Sequence, residues 1–306
     1  MQALALFLAI INFLTGSLNS VQDSLPGALL GSDSSPLHAL TAQFLRPEPI
    51  RNIFYEDPKV QASSAAIIDA DTGKTLYEKG ADAKLPIASI TKVMTALVVL
   101  RNTTNLNDVV SVSVEAADVS GSQMYLLAGE TITVKNLLYG TLIASANDAA
   151  YALAQHTYGT IAKFSDVMNR YAEELNLTDT HFVNAHGADD PQHYSTAHDL
   201  AQLSAHALQN RLFRTIVGTK SIAVTDTTGR FNHQLTSTNQ LLGQYDNVIG
   251  VKTGTTLQAG ESLVAAAEGN SGQTVIAVIL NSPDRFLEGK NMLDWALKSH
   301  TWIKPL

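Results

Sequence analysis

The chain contains no cysteine, which excludes disulfides, thiolate metal sites and a cysteine nucleophile in any redox compartment. Basic clusters are also missing. Twenty Lys and Arg against 28 Asp and Glu give a net charge of -8, with no run of cations to follow a phosphate backbone, so nucleic acid is excluded as a partner. The phosphate-loop pattern G-x-x-x-x-G-K-[ST] is absent, because the Gly73-Lys74-Thr75 triplet has Ile68 where the first glycine belongs. No H-E-x-x-H occurs either. Nine histidines are present, four of them (His181, His186, His193 and His198) within eighteen residues, but their spacings of five, seven and five include no i, i+3 or i, i+4 pair that would bring two together on one helical face. Neither a metal nor another cofactor is therefore expected.

What is present is a globular composition: 306 residues, 45% of them hydrophobic, enough for a large core. The opening MQALALFLAIINFLTGSLNS carries an apolar run from Ala3 to about Leu14, which suits a secretory signal better than a spanning helix. Residues 1–20 are expected to be a signal peptide or short N-terminal anchor. Residues 21–61, with GALLGSDSSPLHAL, read as linker, and 62–306 as one catalytic domain. The expected location is extracytoplasmic, secreted or held at the outer face of the cytoplasmic membrane. Any membrane attachment is expected to come through the N-terminus.

Within 62–306, SSAAIIDADTGKTLYEKG reads as two strands around an Asp71-Thr72-Gly73 turn. Residues 87 to about 215 are mainly helical in pattern. Strands return in NVIGVKTGTT, SLVAAAEG and QTVIAVILN, before a last helix in DRFLEGKNMLDWALKS. The expectation is an α+β fold with one antiparallel sheet built from both ends of the domain, flanked by helices, and a helical lobe inserted between them.

In LPIASITKVMTALVVL, residues 85–100, a single lysine heads an otherwise apolar helix. A buried ammonium must reach water, pair, or release its proton. Ser89 and Lys92 stand three residues apart and so share a helix face, which sets a hydroxyl beside a desolvated amine. An isolated S-x-x-K is equally a helix-start serine and a lysine that reaches the surface. ASAND places Ser145 and Asn147 between two helical patterns, and VKTGTT places Lys252, Thr253 and Gly254 on a strand. Taken singly, these are also caps and turns. In this order, S-x-x-K, S-x-N and K-T-G form the three-part signature of penicillin-binding serine acyl-transferases.

The chain resembles the D-alanyl-D-alanine carboxypeptidases, the low-molecular-weight penicillin-binding proteins of serine type. PIASITKVMTAL, GSQMYLLAGETITVKNLLYGTLIASANDAAYALA, TDTHFVNAHGADDPQHYSTAHDLAQL and VIGVKTGTTLQAGESLVAAA carry the likeness over about residues 62–300. It implies a β-lactamase/penicillin-binding-protein transpeptidase-like fold and trimming of the terminal D-alanine from peptidoglycan pentapeptide stems, with β-lactams as inhibitors. Ser89 would be the nucleophile and Lys92 its general base, helped by the nearby charge of Lys252. Ser145 would bridge the two lysines and relay a proton to the leaving D-alanine. Asn147 would hold substrate amide groups, and Lys252, Thr253 and Thr255 the terminal carboxylate. Gly254 would let the strand approach the ligand, the Ser89 and Thr255 N–H groups would form the oxyanion hole, and Arg285 would assist with the carboxylate.

Three alternatives share these residues. A D,D-endopeptidase of the same family would cut cross-links. A serine β-lactamase would need a glutamate where AEELN has Ala172. An inert wall-binding protein would not need both serines, both lysines and Asn147.

Overall fold

The computed structural model describes residues 47–245 and 247–303. The expected signal or anchor and most of the expected linker lie outside the described residues. Among the described residues, regular structure begins inside that linker, at β1 (Glu48–Arg51), which pairs antiparallel with residues 300–303. The boundary at residue 62 is therefore too late. Pro49 turns inward in this strand while its neighbours face water, a pairing too short and too weakly patterned to read from sequence.

The main sheet has five antiparallel strands. β2 (Ser64–Asp69) and β3 (Thr75–Lys79) come from the N-terminal side; β8 (Val248–Thr256), β9 (Gly260–Glu268) and β10 (Thr274–Ser282) come from the C-terminal side, in the order β3-β2-β10-β9-β8. Alanine, valine and isoleucine dominate the three inner strands because both faces are covered, so these strands read as continuous apolar runs. Successive residues divide between two cores. Ala66, Ile68, Val264, Ala266, Ile276 and Val278 face the helical lobe. Ala65, Ile67, Leu263, Ala265, Val275 and Ala277 face the C-terminal helix α8 (Arg285–Ser299), through Met292, Leu293 and Ala296.

Between β3 and β8 lies the inserted lobe. It holds α1 (Lys92–Asn102), the short α2 (Val114–Ala117), α3 (Val134–Ile143), α4 (Asn147–Tyr158), α5 (Ile161–Glu174), α6 (Ala197–Gln209) and α7 (Arg211–Val217). Thr133, Thr160 and Thr196 cap α3, α5 and α6 by accepting from the N–H three residues on. The small ladder of β4 (Val109–Ser111) with β5 (Thr131–Thr133) and the hairpin of β6 (Ser221–Thr225) with β7 (Asn232–Thr236) interrupt the helices. This is the expected α+β architecture, one antiparallel sheet built from both ends of the domain with a helical lobe inserted between them.

Phe164 is fully buried at the start of α5, edge-on to Tyr158 with ring centroids 6.0 Å apart. Phe164→Ala is expected to cost about 3–5 kcal/mol of stability. Phe54→Ala, at a side chain 91% exposed, should stay within about 0.5 kcal/mol. Denaturant midpoints of the two variants check this, and equal losses would contradict the packing described.

Candidate active site

Pro86 lacks an N–H and Ala88 takes a left-handed φ of +47°, so the expected helix over 85–100 does not run through. Residues Ala88–Thr91 form a single 3₁₀ turn instead, and the α-helix starts at Lys92. In a 3₁₀ turn, side chains three apart eclipse. The Lys92 Nζ accordingly lies 2.7 Å from Ser89 Oγ.

Lys92 is completely buried. Its Nζ also donates to Asn147 Oδ1 at 2.7 Å and to the His186 carbonyl at 2.8 Å. Those three bonds use every donor of an ammonium. Burial, followed by the charge of Lys252, holds the amine well below the ordinary lysine range; Asp148 opposes both. With one proton gone, bonds to Asn147 and His186 keep the two remaining N–H groups occupied and direct the lone pair at Ser89.

Ser145 stands between α3 and α4 with a φ of +59°. That strained conformation turns its hydroxyl toward Lys252, whose Nζ donates to Ser145 Oγ at 2.9 Å and to the Thr253 carbonyl at 2.9 Å. Lys252 is 1% exposed, and burial, then the charge of Arg285, lowers it to about 7. The expected bridge between both lysines is only half formed. Ser145 bonds Lys252, while Lys92 spends its third donor on the His186 carbonyl.

Asn147 opens α4. Besides accepting from Lys92, its amide donates to the Ser120 carbonyl at 2.7 Å, so the protein itself occupies both ends of a group expected to hold substrate. On the edge strand β8, Thr253 Oγ1 meets Thr238 Oγ1 at 2.6 Å. Arg285 donates to the Gly254 carbonyl at 2.9 Å and to Thr255 Oγ1. A Cβ on Gly254 would lie 2.8 Å from the Ile87 carbonyl oxygen and 3.2 Å from the Ser89 nitrogen. Only glycine lets this strand run so close over the nucleophile's backbone. All nine residues singled out from the sequence thus converge on one cleft, between the sheet edge and the lobe.

Two contributors were not read from sequence as parts of the machinery. The His186 carbonyl is a backbone acceptor, and no pattern of side chains signals one. Gly187, with φ +91°, packs so tightly that a Cβ would lie 1.9 Å from the Ala88 carbonyl oxygen. Asp148 is the other: fully buried, it accepts from the N–H groups of Met124 and Leu126 at 3.1 and 3.0 Å. The Asn-Asp pair in ASAND was its only signal.

His181, His193 and His198 have local structural partners, whereas the buried Nδ1 of His186 has none among the described residues. His193 Nδ1 accepts from the Val183 N–H at 3.1 Å, which places the ring proton on Nε2, donating to Thr91 Oγ1 at 2.7 Å. Thr91 in turn donates to the Ala88 carbonyl at 2.7 Å and braces the nucleophile turn. Burial lowers both His186 and His193 to about 4, so both are neutral at physiological pH. Ala172 is buried in the core within α5, so the AEELN segment is helix and core packing.

The profile of the D-alanyl-D-alanine carboxypeptidase family, Peptidase_S11, matches residues 52–284. The chain is 36% identical over 246 residues to D-alanyl-D-alanine carboxypeptidase DacF of Bacillus subtilis, a match covering 78% of this chain and 63% of that relative. It is 37% identical over 241 residues to the D-alanyl-D-alanine carboxypeptidase of Streptomyces sp. strain K15, covering 74% and 82% respectively. Among solved structures, the Streptomyces K15 DD-transpeptidase superposes with a TM-score of 0.75 at 34% identity, over 80% of this chain and 100% of that one. Penicillin binding protein 5 of Haemophilus influenzae gives 0.73 at 31% identity, over 79% and 72%.

The Gly187 contact supplies a test of the geometry. Gly187→Ala should displace the Ala88–Ser89 backbone and slow acylation of Ser89 by a labelled β-lactam about a hundredfold. Gly129→Ala, at a positive φ with nothing within 4 Å of the added carbon, should lose about 1 kcal/mol of stability and acylate normally. Unchanged labelling of the Gly187 variant would show that the turn is not held as described.

Proposed function

Because the chain belongs to the D-alanyl-D-alanine carboxypeptidase family, we propose that it is a serine-type D,D-carboxypeptidase that removes the terminal D-alanine from peptidoglycan pentapeptide stems through an acyl-enzyme on Ser89. The observation that carries the reading is the fully buried Lys92 amine 2.7 Å from the Ser89 hydroxyl. Neutral Lys92 takes the hydroxyl proton as Oγ attacks the carbonyl carbon of the penultimate D-alanine. The Ser89 and Thr255 N–H groups receive the developing oxyanion. Ser145 gives its proton to the departing amine, and Lys252, bonded to Ser145, restores it. Lys252, Thr253, Thr255 and Arg285 take the free carboxylate, and the second Nδ2–H of Asn147 meets the acyl-side amide carbonyl while its Oδ1 still directs Lys92. Water then attacks the ester, its proton leaving through Ser145 to the now neutral Lys252, while Ser89 Oγ recovers its proton from Lys92 as the C–Oγ bond breaks.

The same chemistry makes a β-lactam, a strained amide beside a carboxylate, an inhibitor that leaves Ser89 acylated. Its substrate places the enzyme outside the cytoplasmic membrane, secreted or held there by the N-terminal segment. No helix among the described residues is long and apolar enough to cross a membrane.

Mass spectrometry of digests supplies the test. The protein should release one D-alanine from pentapeptide stems and leave cross-linked dimers largely intact; faster cleavage of dimers would establish the endopeptidase instead. Failure to acylate Ser89 with labelled β-lactam would establish the inert alternative.

A pH dependence follows from the two lysines, since turnover needs Lys92 neutral and Lys252 charged. kcat/KM should fall as pH rises through about 7, where free Lys252 loses its proton. A bound carboxylate favours the charged form and raises that pKa, so kcat should hold to higher pH. Flat kcat/KM profiles on the alkaline side would remove Lys252 from carboxylate recognition.

A further inference from the structure

The Ser89 N–H lies between two segments that reach it only because each lacks a side chain. A Cβ on Gly187 would stand 2.9 Å from the Ser89 nitrogen, and one on Gly254 would stand 3.2 Å from it. Gly187 belongs to the loop 184–190 and Gly254 to β8. The oxyanion hole of the reaction proposed above needs the Ser89 and Thr255 N–H groups aimed at one point, yet these donors sit on different segments. Whatever joins the loop to the strand therefore helps to set the hole.

The loop is knotted around one amide. Asn184 Oδ1 accepts from the N–H groups of His186, Gly187 and Ala188 at 3.2, 2.7 and 3.1 Å, and Asn184 Nδ2 donates to the Ala188 carbonyl at 3.1 Å. Its inner end presents the His186 carbonyl to Lys92. Its outer end carries Asp189, whose Oδ1 accepts from Thr256 Oγ1 at 2.6 Å and whose Oδ2 accepts weakly from the Gln258 N–H at 3.4 Å. The shorter contact has the length of a hydroxyl bonded to an ionised carboxylate. Thr256 Oγ1 in turn accepts from the Ala259 N–H at 3.0 Å, so one hydroxyl both closes the β8–β9 turn and binds the loop.

Thr256 directly follows Thr255 and ends β8. No other hydrogen bond joins the loop to the β8–β9 hairpin among the described residues. Asp189 is exposed and has no ion pair among the described residues, so neither core packing nor charge pairing accounts for its placement. The neighbouring Asp190 side chain bonds only within the loop, to the Gln192 N–H at 2.8 Å.

We propose that Asp189 is a positioning residue for the oxyanion hole: by tying Thr256 to the loop that presses on Ser89, it sets the separation of the Ser89 and Thr255 N–H groups. It touches neither substrate nor reacting atoms. The inference rests on the acyl-enzyme reading of Ser89. As Oγ attacks, the carbonyl oxygen moves and gains charge, and donors already set for that position stabilise the transition state more than the ground state. Arg285 anchors Gly254 and Thr255 to α8, which fixes the strand end to the sheet but not to the nucleophile turn. The Asp189 bond supplies that second attachment.

The experiment uses the full chain and two esters, diacetyl-L-lysyl-D-alanyl-D-lactate and its analogue with sulfur in place of the scissile carbonyl oxygen. Sulfur accepts hydrogen bonds poorly, so the thiono ester gains little from the hole. Asp189→Ala should lower kcat/KM about tenfold on the oxygen ester, less than removal of a whole donor costs, and no more than about twofold on the thiono ester. Asp189→Asn keeps an acceptor for Thr256 and should stay within about twofold of the parent on both esters. Asp190→Ala, which removes a neighbouring charge but no bond to the hairpin, should do the same. Equal losses on the two esters, no loss in Asp189→Ala, or a matching loss in Asp190→Ala would each overturn the proposal. Amide hydrogen exchange of segments 184–192 and 254–259, measured on a Ser89→Ala background, separates the two readings, because Asp189→Ala should speed exchange in both segments. Faster exchange together with a parent whose Ser89 is never acylated by labelled β-lactam would sink the acyl-enzyme reading alone, whereas normal acylation with unchanged exchange would sink the tie.

Discussion

A lysine amine buried without a carboxylate partner is the constraint on which the site depends. An unpaired ammonium in that position costs several kcal/mol, and Asp148, the nearest compensating charge, is spent on two backbone N–H groups of the 124–126 loop. The second buried lysine, 252, adds repulsion. The cheapest response is loss of the Lys92 proton, and the remaining bonds then decide what the lone pair faces. Because Asn147 and His186 arrive from different parts of the chain, the direction of that lone pair is fixed by tertiary structure and not by the helix that carries the lysine.

The fold supplies this by bringing an edge strand against a helical lobe. β8 ends the sheet, so one side of it is free of ladder partners and can lie over the Ala88–Thr91 turn. Close approach is permitted on both sides by missing side chains, at Gly254 on the strand and Gly187 on the loop. Left-handed backbone at Ala88 and Ser145 aims the two hydroxyls inward. Conformations of this kind cost about 1–3 kcal/mol each, and a core that fills both faces of the sheet holds them in place.

Much of this was legible in the chain. The sheet strands read clearly because their apolar runs are long, and the main lobe helices because their periodicity is uninterrupted over ten or more residues. Seven of the nine site residues were legible as three short motifs in a fixed order, and Thr255 and Arg285 came with the family resemblance. The β6–β7 hairpin was not, since SIAVT and NHQLT alternate weakly and take their stability from neighbours. The break in the Ser89 helix was also hidden: the spacing of serine and lysine serves an α-turn and a 3₁₀ turn alike, and the left-handed φ of an alanine leaves no mark in composition. Backbone acceptors such as the His186 carbonyl are invisible to any reading of side chains.

The single base also limits how the acyl-enzyme can be resolved. In a lactamase a separate glutamate activates the deacylating water, but here the matching position is Ala172, buried in α5. On the proposed mechanism water and an amine use the same Lys92 and Ser145, and neither has a dedicated base that would favour it. With the chemistry common to both, their relative rates depend on residence beside the ester. Bulk water is always present, whereas an amine is present in proportion to its binding. Selection between hydrolysis and transfer then shifts from the catalytic residues to whatever holds the amine.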